Sequence, residues 1–390
     1  MNKKIFLSSP TINGSEMQYI KEAFDTNWIA PLGKNVDRFE QEVTDYLGDG
    51  YGAALCSGTA ALHLAIKLAG IGAGDIVLCS SLTFAASANP ITYEQGIPVF
   101  VDSERDTWNM DPRALEKALQ TYPNAKAVVM VHLYGTPGKV KEIMELCNKY
   151  HIPLIEDAAE SFGAKYQGKY TGTFGRYAIL SFNGNKIITT SGGGMLITKT
   201  NEEADRARYF ATQARMPERH YEHTEIGYNY RMSNIVAGIG RGQLKSLNDF
   251  IEKKKRIRKV YKELLQDIQS IHLNPYDEKI SEPNFWLSCI TINDDSNVLP
   301  LDIITSLEDD QIESRPIWKP MHIQPVYKEN DFIQIAEGVS VAEDIYNHGV
   351  CLPADVKITA TDMLRIINII RNLFHKKSIS LSMVERILDA

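Results

Sequence analysis

Two apolar runs in this chain end in residues of opposite chemical character. Ile155-Glu156-Asp157 closes on a carboxylate, and the run from Tyr177 to Ser181 leads through Phe182-Asn183-Gly184-Asn185 to the amine of Lys186. An amine that attacks an aldehyde must be partly neutral, a state favoured in a dry site near cations or rings. A pyridine ring withdraws electrons well only while its nitrogen keeps a proton, and a buried carboxylate can hold that proton in place. The pair therefore fits pyridoxal 5'-phosphate (PLP), with Lys186 forming the Schiff base and Asp157 facing the pyridine nitrogen. Taken singly, each residue has an ordinary explanation: a lysine in a Gly/Asn-rich loop is solvated, and an aspartate after a strand caps a helix. The combination is what carries the reading.

Other residues that follow strand-like runs supply the rest of such a site. Cys56-Ser57-Gly58-Thr59-Ala60 stands between a strand pattern and a helical one, so Ser57 and the N–H groups of Gly58 and Thr59 can meet a phosphate at a helix N-terminus. Taken alone, the same turn is more often only an N-cap. Ser181 offers a further hydroxyl. Phe84, in Ser81-Leu82-Thr83-Phe84, offers a ring to stack on the pyridine face, or serves as plain core. Ser191-Gly192-Gly193-Gly194-Met195 permits tight turns and close backbone approach behind Lys186.

The elements that position these residues follow from periodicity. Strands are expected at Ala53–Leu55, Ile76–Leu78, Pro98–Val101, Ala127–Val131, Pro153–Ile155, Ala178–Leu180 and Met195–Thr198. Helical patterns at Thr59–Ala69, Asp111–Gln120 and Gly138–Tyr150 alternate with them, which predicts an α/β domain with a mostly parallel, seven-stranded sheet. Ligands of such sheets bind beyond the carboxyl ends of the strands, where Ser57, Thr83, His132, Asp157 and Ser181 fall. A long helical pattern from Ser233 to about Asp267 leads into a smaller C-terminal α+β unit, and the expected domains are 1–250 and 251–390. Its basic stretch, Glu252 to Lys259, is expected to be a solvated face.

Composition sets limits on function. The 390 residues allow two domains, and 44% hydrophobic with 23% charged residues describes an ordinary globular chain. A net charge of -7 argues against a nucleic-acid or anionic-membrane surface. Cys56, Cys79, Cys147, Cys289 and Cys351 form no C-x-x-C pair and no metal-ligand spacing, so free thiols in a reducing cytoplasm and no metal are expected. The apolar run after the first lysines is too short for a signal peptide, and no run of about 18 apolar residues exists to span a bilayer.

With these residues in place, the chain resembles the sugar aminotransferases of the DegT/DnrJ/EryC1/StrS family, which have the PLP-dependent transferase fold type I of aspartate aminotransferase. The markers are Asn27 to Gly33 (Asn-Trp-Ile-Ala-Pro-Leu-Gly), Ser57 to Leu62, Ser81 to Phe84, His132 to Gly135, Glu156 to Glu160, Ser181 to Lys186 and Gly227-Tyr228-Asn229-Tyr230-Arg231. The resemblance implies that Lys186 is the Schiff-base lysine and proton shuttle, that Asp157 pairs with the ring nitrogen, and that Gly58, Thr59 and Ser181 bind phosphate. It implies that Phe84 stacks on the ring and that Glu160, where many relatives carry Gln, lies near the phenolic oxygen. Asn229 would reach the phosphate of a neighbouring subunit, making a homodimer necessary; as a loop residue near the long helix it is equally a cap. Trp28, Ile29, Arg231, Trp318 and His322 would contact the sugar or its diphosphate.

The activity so implied has two stages: glutamate gives its amine to PLP, leaving pyridoxamine 5'-phosphate (PMP), and a keto sugar then takes it up. Asn183 to Met195 is most similar to members acting on UDP-linked 4-keto-6-deoxy-N-acetylhexosamines, which feed bacterial glycan or polysaccharide synthesis. The alternatives are a 3-amino or dTDP-sugar aminotransferase and a PLP-binding regulator without turnover. The 3-dehydratase branch has histidine in place of the lysine, and Lys186 speaks against it. An NAD-binding domain is disfavoured by the lack of G-x-G-x-x-G after the first strand.

Overall fold

The computed structural model describes residues 3–389. Its first half contains β1 (Tyr51–Leu55), β2 (Ile76–Ser80), β3 (Ile97–Val101), β4 (Ala127–Val131), β5 (Leu154–Asp157), the short β6 (Lys165–Tyr166) and β7 (Lys169–Tyr170), β8 (Tyr177–Ser181) and β9 (Gly194–Thr198). The second half adds β10 (Ile271–Leu273), β11 (Ser281–Glu282), β12 (Ser288–Ile292), β13 (Arg315–Pro316), β14 (Phe332–Ile333) and β15 (Gly349–Leu352). The helices are α1 (Glu16–Asp25), α2 (Lys34–Leu47), α3 (Gly58–Leu68), α4 (Asn89–Tyr93), α5 (Pro112–Thr121), α6 (Val140–Lys149), α7 (Asn201–Ala211), α8 (Asn234–Leu244), α9 (Leu247–Leu265), α10 (Pro300–Asp309), α11 (Val341–His348), α12 (Ala360–Leu373) and α13 (Leu381–Leu388).

The large sheet has the order β1-β9-β8-β5-β4-β2-β3-β14, and only β9 runs antiparallel to its neighbours. All seven expected strands are in it. The sequence reading missed the eighth: β14 is two residues long and comes from the second half, pairing parallel to β3 at the edge. Both faces of the sheet are covered. Val77 and Cys79 pack with Leu62, Ile155 and Leu196, while Leu78, between them, points the other way into Val99, Val128 and Met130. This is the period-2 alternation of a strand buried on both sides, which is why these strands are apolar throughout.

The second half builds a four-stranded antiparallel sheet, β10-β12-β15-β13. Its core includes Val260, Tyr261, Ile290, Val350, Ile366 and Ile370. The expected single long helix is two helices, α8 and α9. Asn13 explains part of the break: its Nδ2 donates to the carbonyl of Gly242 (2.9 Å) and to Ser246 Oγ (2.8 Å), so the carbonyl that would continue the helix is taken. The basic run on α9 is not a uniformly solvated face either, because Lys254 and Arg258 turn inward and are buried. Residue 250 falls inside α9, and chain segments lie across that point in both directions: Ile5 bridges Ile312 and joins the C-terminal core, and β14 returns to the large sheet. Among the described residues, no helix is long and apolar enough to cross a membrane.

Candidate active site

A cavity of about 380 Å³ opens beyond the carboxyl ends of β1, β5 and β8. Ser57, Gly58, Thr59, Phe84, Asp157, Glu160, Ser181, Lys186 and Trp318 all line it, so nine residues singled out from separate parts of the sequence converge on one space. The strand order explains this. β5 and β8 are adjacent and parallel with Asp157 opposite Ile179, so Asp157 and, two residues further on, Ser181 both stand at the carboxyl edge, and the loop after β8 carries Lys186.

Lys186 is nearly enclosed, its side chain 12% exposed. Its Nζ lies 3.9 Å from Glu160 Oε1 and 4.1 Å from the centre of the Trp286 ring. Burial draws the ammonium below the ordinary lysine range, opposed by the charges of Glu160 and Asp157. Burial also pushes the Glu160 carboxyl up; Lys186 opposes this, the charge of Asp157 adds to it, and the N–H of Tyr134, 2.6 Å from Oε2, opposes it. Desolvation thus moves both groups toward neutrality, and a neutral amine is the form that can attack a carbonyl.

Asp157 is buried at the end of β5 and firmly held. Ser87 Oγ donates to Oδ2 (2.6 Å), Ser87 is itself bonded to Thr83 Oγ1 (2.6 Å), and the N–H of Ala159 donates to Oδ1 (3.1 Å). The preceding Glu156 faces the opposite side of the sheet. There it accepts from His132 Nε2 (3.0 Å) and from the N–H groups of Gly172, Phe174 and Gly175. Burial works against its ionisation, but the histidine and these N–H groups hold it below the usual carboxylate range. Gly138 N–H donates to His132 Nδ1 (3.3 Å), which leaves the proton on Nε2. His132 is therefore a scaffold beneath Asp157, outside the cavity.

At the other end of the cavity Ser57 caps α3, accepting from the N–H of Ala60 (3.0 Å). The N–H groups of Gly58 and Thr59 head the helix, where backbone donors and the helix dipole favour an anion. A side chain at Gly58 would stand 3.0 Å from Ser181 Cβ, and one at Gly194 would collide with the Ser57–Gly58 backbone. The glycines are needed so that α3 can sit directly against the ends of β8 and β9. Open N–H donors and hydroxyls at one end, a buried carboxylate and an amine at the other, and the exposed ring of Phe84 (57%) at the mouth fit PLP group by group.

Not every expected residue is there. Arg231 is a correction: its Nη1 is buried in an ion pair with Glu40 Oε1 (2.8 Å), whose other oxygen pairs with Arg208. Its guanidinium is spent on structure. His322 is also turned away, bonded through Nδ1 to Ser81 Oγ (2.6 Å) and through Nε2 to Glu343 (3.1 Å), with its ring stacked 3.6 Å from Phe332. Trp28 and Ile29 are about half exposed and do not line this chain's cavity, nor does the exposed Asn229. The reading missed Trp286 and Asn185, which the structure adds to the cavity wall. Trp286 comes from the segment ahead of β12, and no spacing in the sequence relates it to Lys186.

Two measurements follow. Arg231→Met should cost about 3 kcal/mol of stability, because it removes one partner of a buried ion pair. Chemical denaturation of the cofactor-free protein reads this; a diphosphate contact would instead raise KM and leave stability alone. Glu160→Gln removes a charge that favours the Lys186 ammonium, so the midpoint of Lys186 labelling against pH should move down in cofactor-free protein. An unmoved midpoint would mean that Glu160 is already neutral there. Activity should stay within about tenfold, since the amide still offers a hydrogen bond.

The fold and this cavity define a PLP-dependent aminotransferase. A family profile, the DegT/DnrJ/EryC1/StrS aminotransferase family, matches residues 10–371, and the chain belongs to that family. Its cofactor is accordingly PLP, cycling with PMP. The chain is 48% identical over 382 residues to EpsN of Bacillus subtilis (strain 168), whose name carries the words pyridoxal phosphate-dependent aminotransferase, with 96% of this chain and 97% of that protein covered. It is 36% identical to the GDP-perosamine synthase of Escherichia coli O157:H7, over 96% of this chain and all of that one. The aminotransferase TlmJ from Streptoalloteichus hindustanus superposes with a TM-score of 0.87 at 27% identity, covering 95% and 99% of the two chains. The chain is a sugar aminotransferase of this family.

Proposed function

We propose that this enzyme moves an amino group from glutamate to C4 of a UDP-linked 4-keto-6-deoxy-N-acetylhexosamine, in the cytoplasm, for bacterial glycan or polysaccharide synthesis. The observation that carries the aminotransfer is Lys186, with its lowered proton affinity, in one cavity with Asp157. The acceptor rests on the likeness of residues 183–195 to enzymes of that substrate class. When bound, PLP supplies an aldehyde that exchanges amines and a ring that stores an electron pair. The chain's own residues do the rest. Gly58, Thr59 and Ser181 would hold the phosphate, with Ser57 as the cap that orients α3. Asp157 would keep a proton on the ring nitrogen, Phe84 would cover the ring face, and Glu160 would face the phenolic oxygen. Lys186 Nζ takes a proton from the donor's α-carbon and, in the second stage, delivers one to the sugar C4. Trp318, 5.5 Å from Phe84 at the cavity wall, is the candidate for packing on the sugar.

The site would be completed by a second copy. Asn229 is exposed on a short bridge to Thr212 and turned out of its own cavity, which supports its reaching a neighbour's phosphate in a homodimer. Trp28 and Ile29, exposed in the same way, would serve the neighbouring pocket.

The test is a single-turnover absorbance trace. The enzyme is converted to its PMP form with glutamate, freed of glutamate, and offered UDP-, dTDP- and GDP-linked 4-keto and 3-keto sugars one at a time. The GDP arm is included because a 36% identical relative is named for GDP-perosamine. Return of the visible band with the UDP-linked 4-keto N-acetyl sugar alone is expected. Return with another sugar moves the acceptor to that class, and a band that glutamate never bleaches means either another amino donor or a PLP-binding regulator without turnover.

A further inference from the structure

One of the two basic side chains that α9 buries is tied to the site through Trp286. Lys254 is 2% exposed, and its Nζ donates to the carbonyls of Trp286 (2.9 Å) and Ala354 (2.7 Å). Burial draws it down to about 7 against the charge of Asp355, yet a neutral amine still has two N–H groups, enough for both bonds. Fully buried Asn284 grips the same turn from its other end. Its Oδ1 accepts from the N–H of Trp286 (2.9 Å), and its Nδ2 donates to the carbonyls of Glu160 (2.8 Å) and Phe162 (3.0 Å). A Cβ at Gly135, where φ is 88°, would collide with that amide. Inside the loop that the Asn284 Oδ1 bond to Trp286 N–H closes, Phe285 is held at φ 50°, a conformation a bulky residue adopts only when its surroundings impose it. The outcome is at Lys186. The Trp286 ring lies 4.1 Å from its Nζ, and the indole N–H holds the carbonyl of Asn185 (2.7 Å), the residue just before it.

We propose that Asn284 and Lys254 are positioning residues that hold the Asn284-Phe285-Trp286 turn so that the Trp286 ring and Glu160 stay against Lys186. This rests on the reading of Lys186 as the reactive amine. The charged groups that face Lys186 are Glu160 and Asp157; Trp286 supplies the apolar wall that keeps water away. Loosening the turn lets water reach the amine, so its proton affinity rises toward that of an ordinary lysine.

Asn284→Ala and Lys254→Met test this, first in cofactor-free protein by reductive methylation of Lys186 against pH, quantified by mass spectrometry of its peptide. The labelling midpoint should move to higher pH in both. In the loaded enzyme kcat should fall roughly tenfold or more, with KM for glutamate changed by less than about threefold. A folded variant with the wild-type labelling profile and kcat overturns the proposal. Should both variants fail to fold, Trp286→Leu keeps the backbone grips and removes the ring; an unchanged labelling midpoint there overturns it equally. The labelling uses no substrate, so it stands or falls apart from the identity of donor and sugar.

Discussion

Lys186→Ala is expected to yield a folded protein that neither fixes its cofactor covalently nor turns over. Among the described residues the amine is the only nitrogen base of the cavity lining that sits beside a buried acid, and its 3.9 Å approach to Glu160 and cover by Trp286 support the proposed role in proton transfer. Removing a general acid–base of this kind costs on the order of 10⁴-fold in kcat, about 5 kcal/mol of transition-state stabilisation. Stability should not fall, because a buried lysine is itself costly and its partner Glu160 is already pushed toward the neutral acid. Borohydride reduction followed by mass spectrometry checks the first part: wild type gains the cofactor mass on the peptide containing Lys186, the variant does not. A variant that retained more than about 1% of kcat would assign the proton transfers elsewhere.

Asp157→Asn is the second large effect. The carboxylate is buried and its geometry is fixed by Ser87 Oγ on one oxygen and the Ala159 N–H on the other, which the amide can mimic only in part. What the amide cannot supply is the negative charge that keeps a proton on a ring nitrogen in a dry site. The loss of a buried charge partner is worth about 3–5 kcal/mol, so kcat should fall by roughly 10²- to 10⁴-fold and cofactor affinity should drop with it. The visible spectrum should shift and its response to glutamate slow, while Lys186 still becomes labelled by reduction. Ser87→Ala, which removes only an orienting hydroxyl, should cost about tenfold or less. If Asp157→Asn kept wild-type rates, the carboxylate would only tie down the turn after β5 through the Ala159 N–H.

Local rules made much of this legible. Strands buried on both faces are apolar runs, and the seven runs in the first half stand in one sheet. Residues at or just past the ends of such strands, Ser57, Asp157 and Ser181, were readable as residues of the cavity because a parallel sheet gathers strand ends at one edge. β14 was not legible, since two residues have no periodicity, and the break between α8 and α9 depends on Asn13, more than 200 positions away. Arg231 shows the opposite error. A guanidinium in a family motif suits a phosphate by its chemistry, but a carboxylate from α2, Glu40, already occupies it.

The sequence by itself determined the layers, the strand ends and which amine and acid to look for in the cavity, because each depends on near neighbours and on side-chain chemistry. Only the tertiary structure decided what surrounds them. Trp286 over Lys186, Glu160 at its side, and the inward turn of Lys254 from a run of surface-like charge all join segments far apart along the chain. A lysine's proton affinity is set by how much water its surroundings exclude, and that is a property of the packed molecule, not of the residues on either side of it.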